Sequence, residues 1–336
     1  MIRISEVVLP GHPDKFCDRV ADAVVAESLR ADSDAYCQVE VSVWSDQVWL
    51  SGGLCTRTPL ARQLDEIVVS TGLAIGYQPG NHIDATRYHV TDAVCQRIAD
   101  PRQWSHHVND QSIVIGWAGY DQKTKWLPPE HFLAHHFAQI LFESCMSGTL
   151  SGQGPDGKLM VRIREEGDEW RMEHLLVTLQ QSSGADFTSV CEELASVLRD
   201  AYEAARRADP RWRTRWDDVE LLLNPNGPMI EAGSDGDNGQ TGRKLVMDFY
   251  GPRVPIGGGA LAGKHPTHID RIGAKAAREA ALHMVRTGAN ECLVRLAYAP
   301  NTVVPLDVAY ETSGRGERVP AEFFRHDVMR KRYGSI

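Results

Sequence analysis

The segment CQVEVSVWSDQVWL, Cys37–Leu50, alternates apolar and polar residues and then reverses direction. Cysteine or valine stands at every second position from Cys37 to Val43, which is the period of a strand with one buried face. The polar stretch Ser45–Gln47 predicts a tight turn into a second strand. We therefore predict a β-hairpin whose apolar face needs a covering layer.

Helices are predicted on both sides of this hairpin. Pro13–Arg30 carries a helical stripe of Phe16, Val20 and Val24, with proline in its first turn. A second helix is predicted from about Pro59 to Ile75. The resulting unit is helix, hairpin, helix.

The same order of elements recurs twice. The second unit is predicted as a helix over 127–145, strands over 159–164 and 175–179, a helix over 187–205 and a closing strand over 219–223. The third is predicted as a helix over 269–286, strands over 292–298 and 303–310, and a helix over 320–332. We predict an α+β fold of three similar subdomains, near 1–100, 107–225 and 226–336, each a sheet covered by helices. One irregular α+β domain is the alternative.

Composition narrows the class of protein. The chain has 336 residues, of which 42% are hydrophobic and 24% charged, as in ordinary globular proteins. No apolar run reaches the length of a membrane span, and the first residues do not resemble a signal peptide. The net charge of −9 argues against nucleic-acid binding, and seven cysteines without a C-x-x-C pair favour reduced thiols. We expect a cytoplasmic protein with neither a membrane nor a nucleic acid as partner.

Four stretches join glycine or proline turns to a lysine and an aspartate: GHPDK at 11–15, GPDGK at 154–158, GDNGQTGRK at 236–244 and GGGALAGKHPTHID at 257–270. Their cations are Lys15, Lys158, Arg243, Lys244 and Lys264. Their carboxylates include Asp14, Asp156, Asp237 and Asp270. Cations bind phosphate oxygens and carboxylates bind hard metal ions, so this set predicts a polyphosphate bound with Mg²⁺. The alternative for any single stretch is a surface loop.

A P-loop is a separate alternative for the last stretch. Gly258–Lys264 fits the pattern G-x-x-x-x-G-K. A P-loop requires Ser or Thr next, whereas His265 follows here, and the apolar strand should precede the loop directly. We therefore discount this interpretation.

Longer motifs carry a resemblance to a known family. SEVVLPGHPDKFCDRVADAV, GDNGQTGRKLVMDFYG and GGGALAGKHPTHIDRIGAKAAR resemble segments of methionine adenosyltransferases, the S-adenosylmethionine synthetases. NDQSIVIGWA, LPPEHFLAHHF, GPDGK and LLLNPNG fall between them in the order of that family. The resemblance implies three subdomains about a pseudo-threefold axis. It also implies a homodimer with active sites built from both chains, with a tetramer as a further possible assembly.

The resemblance implies an ATP-dependent adenosyl transfer. The sulfur of L-methionine attacks C5′ of ATP and gives S-adenosylmethionine, and the released triphosphate is cleaved to diphosphate and phosphate. A thioether loses no proton on attack, so no catalytic base is required. Cations and Mg²⁺ instead stabilise the charge on the leaving triphosphate.

Roles carry over to individual residues as implications of the resemblance. His12 would hydrogen-bond the leaving oxygen or a nearby phosphate. The triphosphate would be held by Lys158, Arg243, Lys244 and Lys264, with Lys15 and Asp156 also at the nucleotide. Asp14 and Asp270 would each bind one of two Mg²⁺ ions, and Glu40 stands near the position of a K⁺ site. Asp237 would contact ribose or the amino acid, and Asp110 would lie near the site. The structural alternatives are that Asp14 only caps a helix and Arg243 only pairs with a surface carboxylate.

Departures from the family pattern concentrate on the amino-acid side. Leu54 stands where the family has a glutamate for the methionine ammonium, and His268 replaces a lysine near the carboxylate. Pro300 takes the apolar position beside the thioether, and Met229 that of the aromatic residue over adenine. The segment 99–109, a mobile gate in the family, is shorter here, and the chain stops at residue 336, earlier than is usual.

These departures leave several functions open. The acceptor is methionine held differently, or another small sulfur nucleophile, or the protein hydrolyses ATP to an adenosine-type product and triphosphate. A non-catalytic nucleotide-binding partner of a true synthetase is the alternative from another class, although the phosphate-binding cations are retained.

Overall fold

A computed structural model describes residues 1–79 and 82–334. The strands are β1 (Ile2–Val8), β2 (Tyr36–Trp44), β3 (Gln47–Thr56), β4 (His89–Ile98), β5 (Ser112–Gly119), β6 (Gln153–Glu166), β7 (Glu169–Gln181), β8 (Glu220–Leu223), β9 (Gly239–Gln240), β10 (Ala289–Tyr298) and β11 (Asp307–Gly314). The α-helices are α1 (Pro13–Ala31), α2 (Leu64–Ala74), α3 (Arg102–Ser105), α4 (Pro129–Ser147), α5 (Phe187–Ala208), α6 (Gly233–Gly236), α7 (Leu245–Phe249), α8 (Ile269–Arg286) and α9 (His326–Tyr333). Short 3₁₀ turns span Ala85–Arg87, Gln122–Thr124, Trp216–Asp218 and Ala321–Phe324.

The strands form three sheets. The N-terminal sheet has the order β4-β3-β2-β9, the central sheet β1-β6-β7-β8, and the C-terminal sheet β11-β10-β5. β3 pairs with β4 in parallel and β7 with β8 in parallel, while the hairpin pairs are antiparallel. The prediction of an α+β fold with mixed sheets covered by helices is confirmed; two of the sheets are mixed, and the C-terminal sheet is antiparallel throughout.

Each sheet contains one strand from a distant part of the chain. β1, at the start of the chain, pairs with β6 of the central sheet. β5 pairs with β10 of the C-terminal sheet, and β9 pairs with β2 of the N-terminal sheet. This cyclic exchange relates the three sheets and joins the three thirds of the chain by backbone hydrogen bonds.

Helices cover one face of each sheet and complete three separate hydrophobic cores. α1 and α2 pack on the N-terminal sheet, α4 and α5 on the central sheet, and α8 and α9 on the C-terminal sheet. Phe16, Val20 and Val24 of the predicted stripe are fully buried. None of the helices within 1–79 and 82–334 has the length and apolar character that crossing a membrane requires.

Close packing of α8 on β5 depends on Gly116. A Cβ atom at this position would lie 2.0 Å from the backbone carbon of Ala277, which is far inside van der Waals contact. The helix backbone therefore lies directly on the strand. The position is glycine because of packing rather than because of its dihedral angles.

Two predicted elements of the third unit need correction. The second strand of its hairpin begins at Asp307 rather than Val303, because residues 300–306 form the turn. The final helix is divided in two, since Arg325 has an extended conformation (φ −68°, ψ 135°) between the 3₁₀ turn and α9. β1, β4, β5 and β9 were not predicted as strands.

Candidate active site

The first cluster of predicted site residues lies at the start of α1. His12 is the N-cap, and its Nδ1 accepts a hydrogen bond from the backbone N–H of Asp14 at 3.1 Å. Asp14 is 1% exposed. Its carboxylate accepts a hydrogen bond from Lys244 Nζ and lies 3.6 Å from Arg243 Nε. We call His12, Asp14, Arg243 and Lys244 the His12 cluster.

The glycine-rich loop is held against α1 by carboxylates of that helix. Gln240 N–H donates to Asp14 Oδ1 at 2.8 Å, and Gly242 N–H donates to Asp18 Oδ1 at 2.8 Å. The loop also adds β9 to the edge of β2 through Gly239 and Gln240. The loop thus brings Arg243 and Lys244 to the start of a helix about 230 residues earlier in the chain. Asp18 has this role without having been predicted as a site residue, because a helical aspartate gives no distinctive sequence signal.

Charged residues from three of the four lysine-containing stretches (11–15, 154–158 and 236–244) influence the pKa of His12. Burial, and after it the charge of Lys244, lower the pKa of His12 to about 4. Asp14 and Asp237 oppose this shift, and Lys158 adds to it. The imidazole is therefore neutral at pH 7, and its proton lies on Nε2 because Nδ1 is an acceptor.

The GPDGK motif has two different roles. Asp156 is 4% exposed and accepts a hydrogen bond from Gly233 N–H at 2.6 Å, which fixes the start of the glycine-rich loop. Burial raises the pKa of Asp156 to about 6. Lys158 is half-exposed and pairs with Glu6 Oε2 at 2.6 Å. Asp156 thus supports the loop, and Lys158 faces the side of His12.

A second cluster lies at the start of α8. Lys264 is 8% exposed, and its Nζ donates to Asp270 Oδ2 at 2.6 Å. Ser112 Oγ donates to the other oxygen of Asp270. His268 caps the helix, and its Nδ1 accepts from the Asp270 N–H at 3.1 Å. Lys264, His268, Asp270 and Ser112 form the Lys264 cluster; Ser112 was missed because a neutral strand residue carries no charge pattern.

The two clusters have the same local arrangement of histidine, aspartate and lysine. In each, a histidine caps a helix, the aspartate two residues later is buried, and a lysine from a glycine-rich loop neutralises that aspartate. Burial lowers the pKa of His268 to about 4, as for His12, with Asp270 opposing the shift and Lys264 adding to it. The repetition follows from the related positions of α1 and α8 on their sheets.

Within one chain the two glycine-rich loops lie along the same strand, β2. The loop with Lys244 pairs with Ser42 and Val43, and its Thr241 N–H donates to Val41 O at 3.0 Å. The loop with Lys264 forms a β-bridge with Gln38, and Gly263 O accepts from the Val39 N–H. The loops also approach each other, because a Cβ atom on Gly242 would lie 2.5 Å from Ala260 Cβ. Their lysines nevertheless contact different aspartates, Asp14 and Asp270.

The sequence is similar to known proteins over most of its length. Models described as the N-terminal and C-terminal domains of S-adenosylmethionine synthetase match residues 1–99 and 232–331. S-adenosylmethionine synthase of Rhodospirillum centenum is 32% identical over 323 residues, covering 93% of this chain and 81% of that protein. The chain belongs to the S-adenosylmethionine synthetase family. The enzyme of the same name from Paracoccus denitrificans is also 32% identical, over 96% of this chain and 83% of its own length.

The fold agrees with a solved structure of this family. The structure titled "an Unusual S-adenosylmethionine synthetase from Campylobacter jejuni" superposes with a TM-score of 0.85. Its sequence is 24% identical, and the match covers 98% of this chain and 89% of that one. This likeness confirms the prediction of the S-adenosylmethionine synthetase fold.

Three of the predicted acceptor residues lie near one another. Asp110 is close enough to His268 to influence its pKa. Asn301, next to Pro300, donates its N–H to Val108 O at 2.7 Å, which places the Pro300 turn against the segment that leads to Asp110. Asp237 instead lies near His12, where its charge opposes the lowering of the His12 pKa.

Leu54 requires a correction. Its side chain is 3% exposed and belongs to the hydrophobic core between the N-terminal sheet and α1. The leucine follows the alternation of Val48 and Leu50, whose side chains face the same core. In this chain Leu54 is therefore a packing residue, not a lining residue of an acceptor site.

One nucleotide prediction changes. Lys15 does not face the His12 cluster: its Nζ donates to Asp18 and to both oxygens of Asp248, each at 2.8 Å. Lys15 was predicted from its neighbours in sequence, whereas long-range pairing determines where it lies. Met229 is half-buried, pairs through its backbone with Gln180 and Gln181, and packs against the N-terminal core. Its place over adenine stays a prediction.

The rebuilt segment over 99–109 is attached to its surroundings. Ser105 Oγ donates to Asp34 O at 2.7 Å, and a ring nitrogen of His106 lies 2.9 Å from Asp34 Oδ1. Thr267 Oγ1 donates to the Ser105 carbonyl at 2.6 Å. These contacts join the segment to both the N-terminal sheet and the loop that precedes His268.

The metal predictions rest on single carboxylates. Within the part of the chain that the structure describes, no group of three or more His, Cys, Asp or Glu side chains is arranged to hold a metal ion. Asp14 and Asp270 each present carboxylate oxygens to a lysine, and Mg²⁺ commonly takes one or two carboxylates with the rest of its ligands from phosphates and water. The residues thus fit Mg²⁺ brought by a polyphosphate. Glu40 is exposed on the outer face of β2 and stays a prediction for K⁺.

Acid is expected to destabilise this protein through its buried histidines. Burial is the first cause that lowers the pKa of His131 and His265 to about 3, and of His12 and His268 to about 4, from 6.5. Unfolding therefore takes up protons below pH 6.5, and the stability present above that pH is lost as the pH falls toward 4. We expect each buried histidine to remove about 1–2 kcal/mol from the free energy of unfolding between pH 7 and 5.

Urea unfolding at pH 7, 6 and 5 measures this effect. His131→Gln is expected to reduce the loss of stability on acidification, because His131 is fully buried. His89→Gln is the matched control, since the His89 side chain is 72% exposed. Equal pH dependence of the two variants would contradict the assignment.

Proposed function

We propose that the protein is an ATP-dependent methionine adenosyltransferase, in which the sulfur of L-methionine attacks C5′ of ATP and the triphosphate leaves. The proposal rests on one observation: charged residues from three of the four lysine-containing stretches lie around His12, in a member of the S-adenosylmethionine synthetase family. The printed name of the relatives at 32% identity, S-adenosylmethionine synthase, supports the same reaction. Cleavage of the triphosphate to diphosphate and phosphate is part of the proposal.

The residues of the His12 cluster suit stabilisation of a departing triphosphate. The Nε2–H of neutral His12 donates a hydrogen bond to the bridging oxygen or to the adjacent phosphate. Arg243 and Lys244 exchange their contacts with Asp14 for phosphate oxygens, and Lys158 adds charge from the central sheet. Preorganised donors of this kind contribute about 3–4 kcal/mol each to the lowering of a barrier.

Asp14 and Asp270 are the proposed Mg²⁺ ligands. When bound, Mg²⁺ neutralises phosphate charge and so makes the triphosphate a better leaving group. The aspartates supply oxygen donors, and the lysines beside them, Lys244 and Lys264, are then free to contact phosphate directly.

The proposal includes a homodimer with shared sites, which membership of the S-adenosylmethionine synthetase family supports. A second copy related by a twofold axis would bring its Lys264 cluster to the His12 cluster of the first. The outer faces of the sheets carry apolar side chains suited to such an interface: Trp44 is 51%, Trp49 42% and Ile98 61% exposed. A tetramer of such dimers stays a further possibility.

A different small sulfur nucleophile is the second candidate acceptor. Leu54 is apolar and packed in the core, so it offers no partner for an ammonium group. His268 is neutral at pH 7 because burial is the main cause that lowers its pKa to about 4, so it offers no full charge to a carboxylate. Both observations favour an acceptor that lacks either the ammonium group or the carboxylate group of methionine.

Mass spectrometry of the products tests the proposal. The purified protein is incubated with ATP, Mg²⁺ and, in separate reactions, L-methionine, 3-(methylthio)propylamine or 4-(methylthio)butanoate. We expect the sulfonium product from L-methionine. A sulfonium formed only from one of the analogues would select the second candidate. Triphosphate without any sulfonium would identify a hydrolase, and no turnover with ATP binding retained would identify a non-catalytic homologue.

A further inference from the structure

A cavity lies on the helical side of the molecule. Its volume is about 1020 Å³, and α1, α2, α7 and α8 contribute to its walls. Apolar side chains form much of the surface, among them Ala74, Ile75, Leu127, Leu245 and Phe249. Small-molecule sites of proteins commonly have about 300–1,000 Å³ and mostly apolar walls.

More cations than carboxylates line this cavity. Three carboxylates line the cavity: Asp18, Asp22 and Asp248. Five cations line it: Lys15, Arg19, Arg271, Lys275 and Arg278. All three carboxylates are already paired, two of them with Lys15 and the third with Arg271 at 3.0 Å.

Three cations are thus left without a carboxylate. Arg278 donates to the backbone carbonyls of Trp117, Lys125 and Trp126. The side chains of Arg19 and Lys275 have no hydrogen bond or ion pair with any other residue that the structure describes. Both side chains are exposed at the cavity, and their surroundings lower the pKa of each. They are therefore accessible to an anion that enters the cavity.

We propose that this cavity binds a small organic anion with an apolar body, held by Arg19 and Lys275. The apolar walls receive the body of the ligand, and the two unpaired cations receive its acidic group. Two unpaired cations match a single acidic group better than the several charges of a triphosphate. The cavity is also distinct from the candidate active site: Gly242 and Leu245 line it, whereas Arg243 and Lys244 between them contact Asp14.

Two fluorescent probes separate charge recognition from apolar contact. 8-Anilinonaphthalene-1-sulfonate carries an acidic group, and N-phenyl-1-naphthylamine has the same aromatic body without it. We expect the sulfonate to bind the wild-type protein at one site per chain and more tightly than the neutral probe. Charge-assisted contacts predict a difference of about 10- to 100-fold in Kd.

Variants locate the site. Arg19→Gln combined with Lys275→Gln is expected to weaken binding of the sulfonate about 10-fold or more while binding of the neutral probe is unchanged. Arg87→Gln combined with Arg207→Gln, at two exposed arginines outside the cavity, is the matched control and should change neither. Ala74→Trp fills the cavity from an exposed wall and should abolish both signals.

The outcomes are distinguishable from those of the enzymatic proposal. Each variant is checked by circular dichroism and by its melting temperature, so that an unfolded variant is not scored. Unchanged sulfonate binding in the Arg19/Lys275 variant, or equal binding of the two probes to the wild-type protein, would overturn the proposal. Neither readout requires turnover of ATP, so failure of the proposed reaction leaves the test intact.

Discussion

Replacing Lys264 with methionine is expected to lower kcat/KM for ATP by about 10²- to 10³-fold, the usual loss when one preorganised electrostatic contact is removed. Lys264 is 8% exposed and neutralises Asp270 within the Lys264 cluster. Methionine preserves the length of the side chain but not the charge. Steady-state kinetics measures the loss, and Lys331→Met, at an exposed lysine of α9, is the matched control.

Subunit mixing determines whether this loss comes from a shared site. His12→Asn and Lys264→Met are each expected to be nearly inactive, and the two chains are combined by coexpression. If each site uses His12 of one chain and Lys264 of its partner, half of the dimers are mixed and one of their two sites is intact, so about a quarter of wild-type activity returns. No recovery would mean that both residues act from the same chain or that the dimer does not form. Recovery would also show that both variant chains fold.

The second large effect is expected from Gly263→Ala. Gly263 has φ +79°, where a side chain is strained, and a Cβ atom there would lie 2.0 Å from Val39 O. Its own carbonyl accepts the Val39 N–H at 2.9 Å, and His265 N–H donates to Cys37 O at 2.8 Å. Alanine must push this loop away from β2, and Lys264 with it.

We expect Gly263→Ala to cost about 3 kcal/mol or more of the free energy of unfolding, as backbone strain and overpacking add. Activity should fall in parallel because Lys264 is displaced. Gly258→Ala in the same loop is the control, because a Cβ atom there has no neighbour within 4 Å and no positive φ is involved. Urea unfolding and kinetics of both variants check the prediction. Equal effects of the two substitutions would show that the approach to β2 is not the constraint.

Local sequence was sufficient for the main helices and hairpins. α8 begins and ends where its periodicity predicts, and α1 begins at the predicted proline. These elements combine a regular apolar stripe with recognisable caps, so each of them can be predicted from its own residues. β1, β5 and β9 were not predicted because their strand character depends on partners far along the chain.

The sequence predicted which residues belong to the candidate site better than it predicted how those residues are arranged. The motifs led to His12, Asp14, Lys244 and Lys264, and contacts of Asp14 and Asp270 group them into two clusters. The same reasoning placed Lys15 at the phosphates, because its side chain is next to Asp14 in sequence. Adjacent helical residues point in different directions, and Asp18 with Asp248 determines where Lys15 is held.

The amino-acid sequence by itself determined which segments form helices and hairpins, and which residues supply charge for a polyphosphate. The tertiary structure alone decided that Leu54 packs in a core, that Lys244 rather than Lys15 reaches Asp14, and that both glycine-rich loops lie along β2. Periodicity and capping act over a few residues and are therefore readable in a sequence. Strand exchange joins residues 150 or more positions apart and ion pairs such as Lys15–Asp248 join residues 233 positions apart, and only the packed chain specifies those partners.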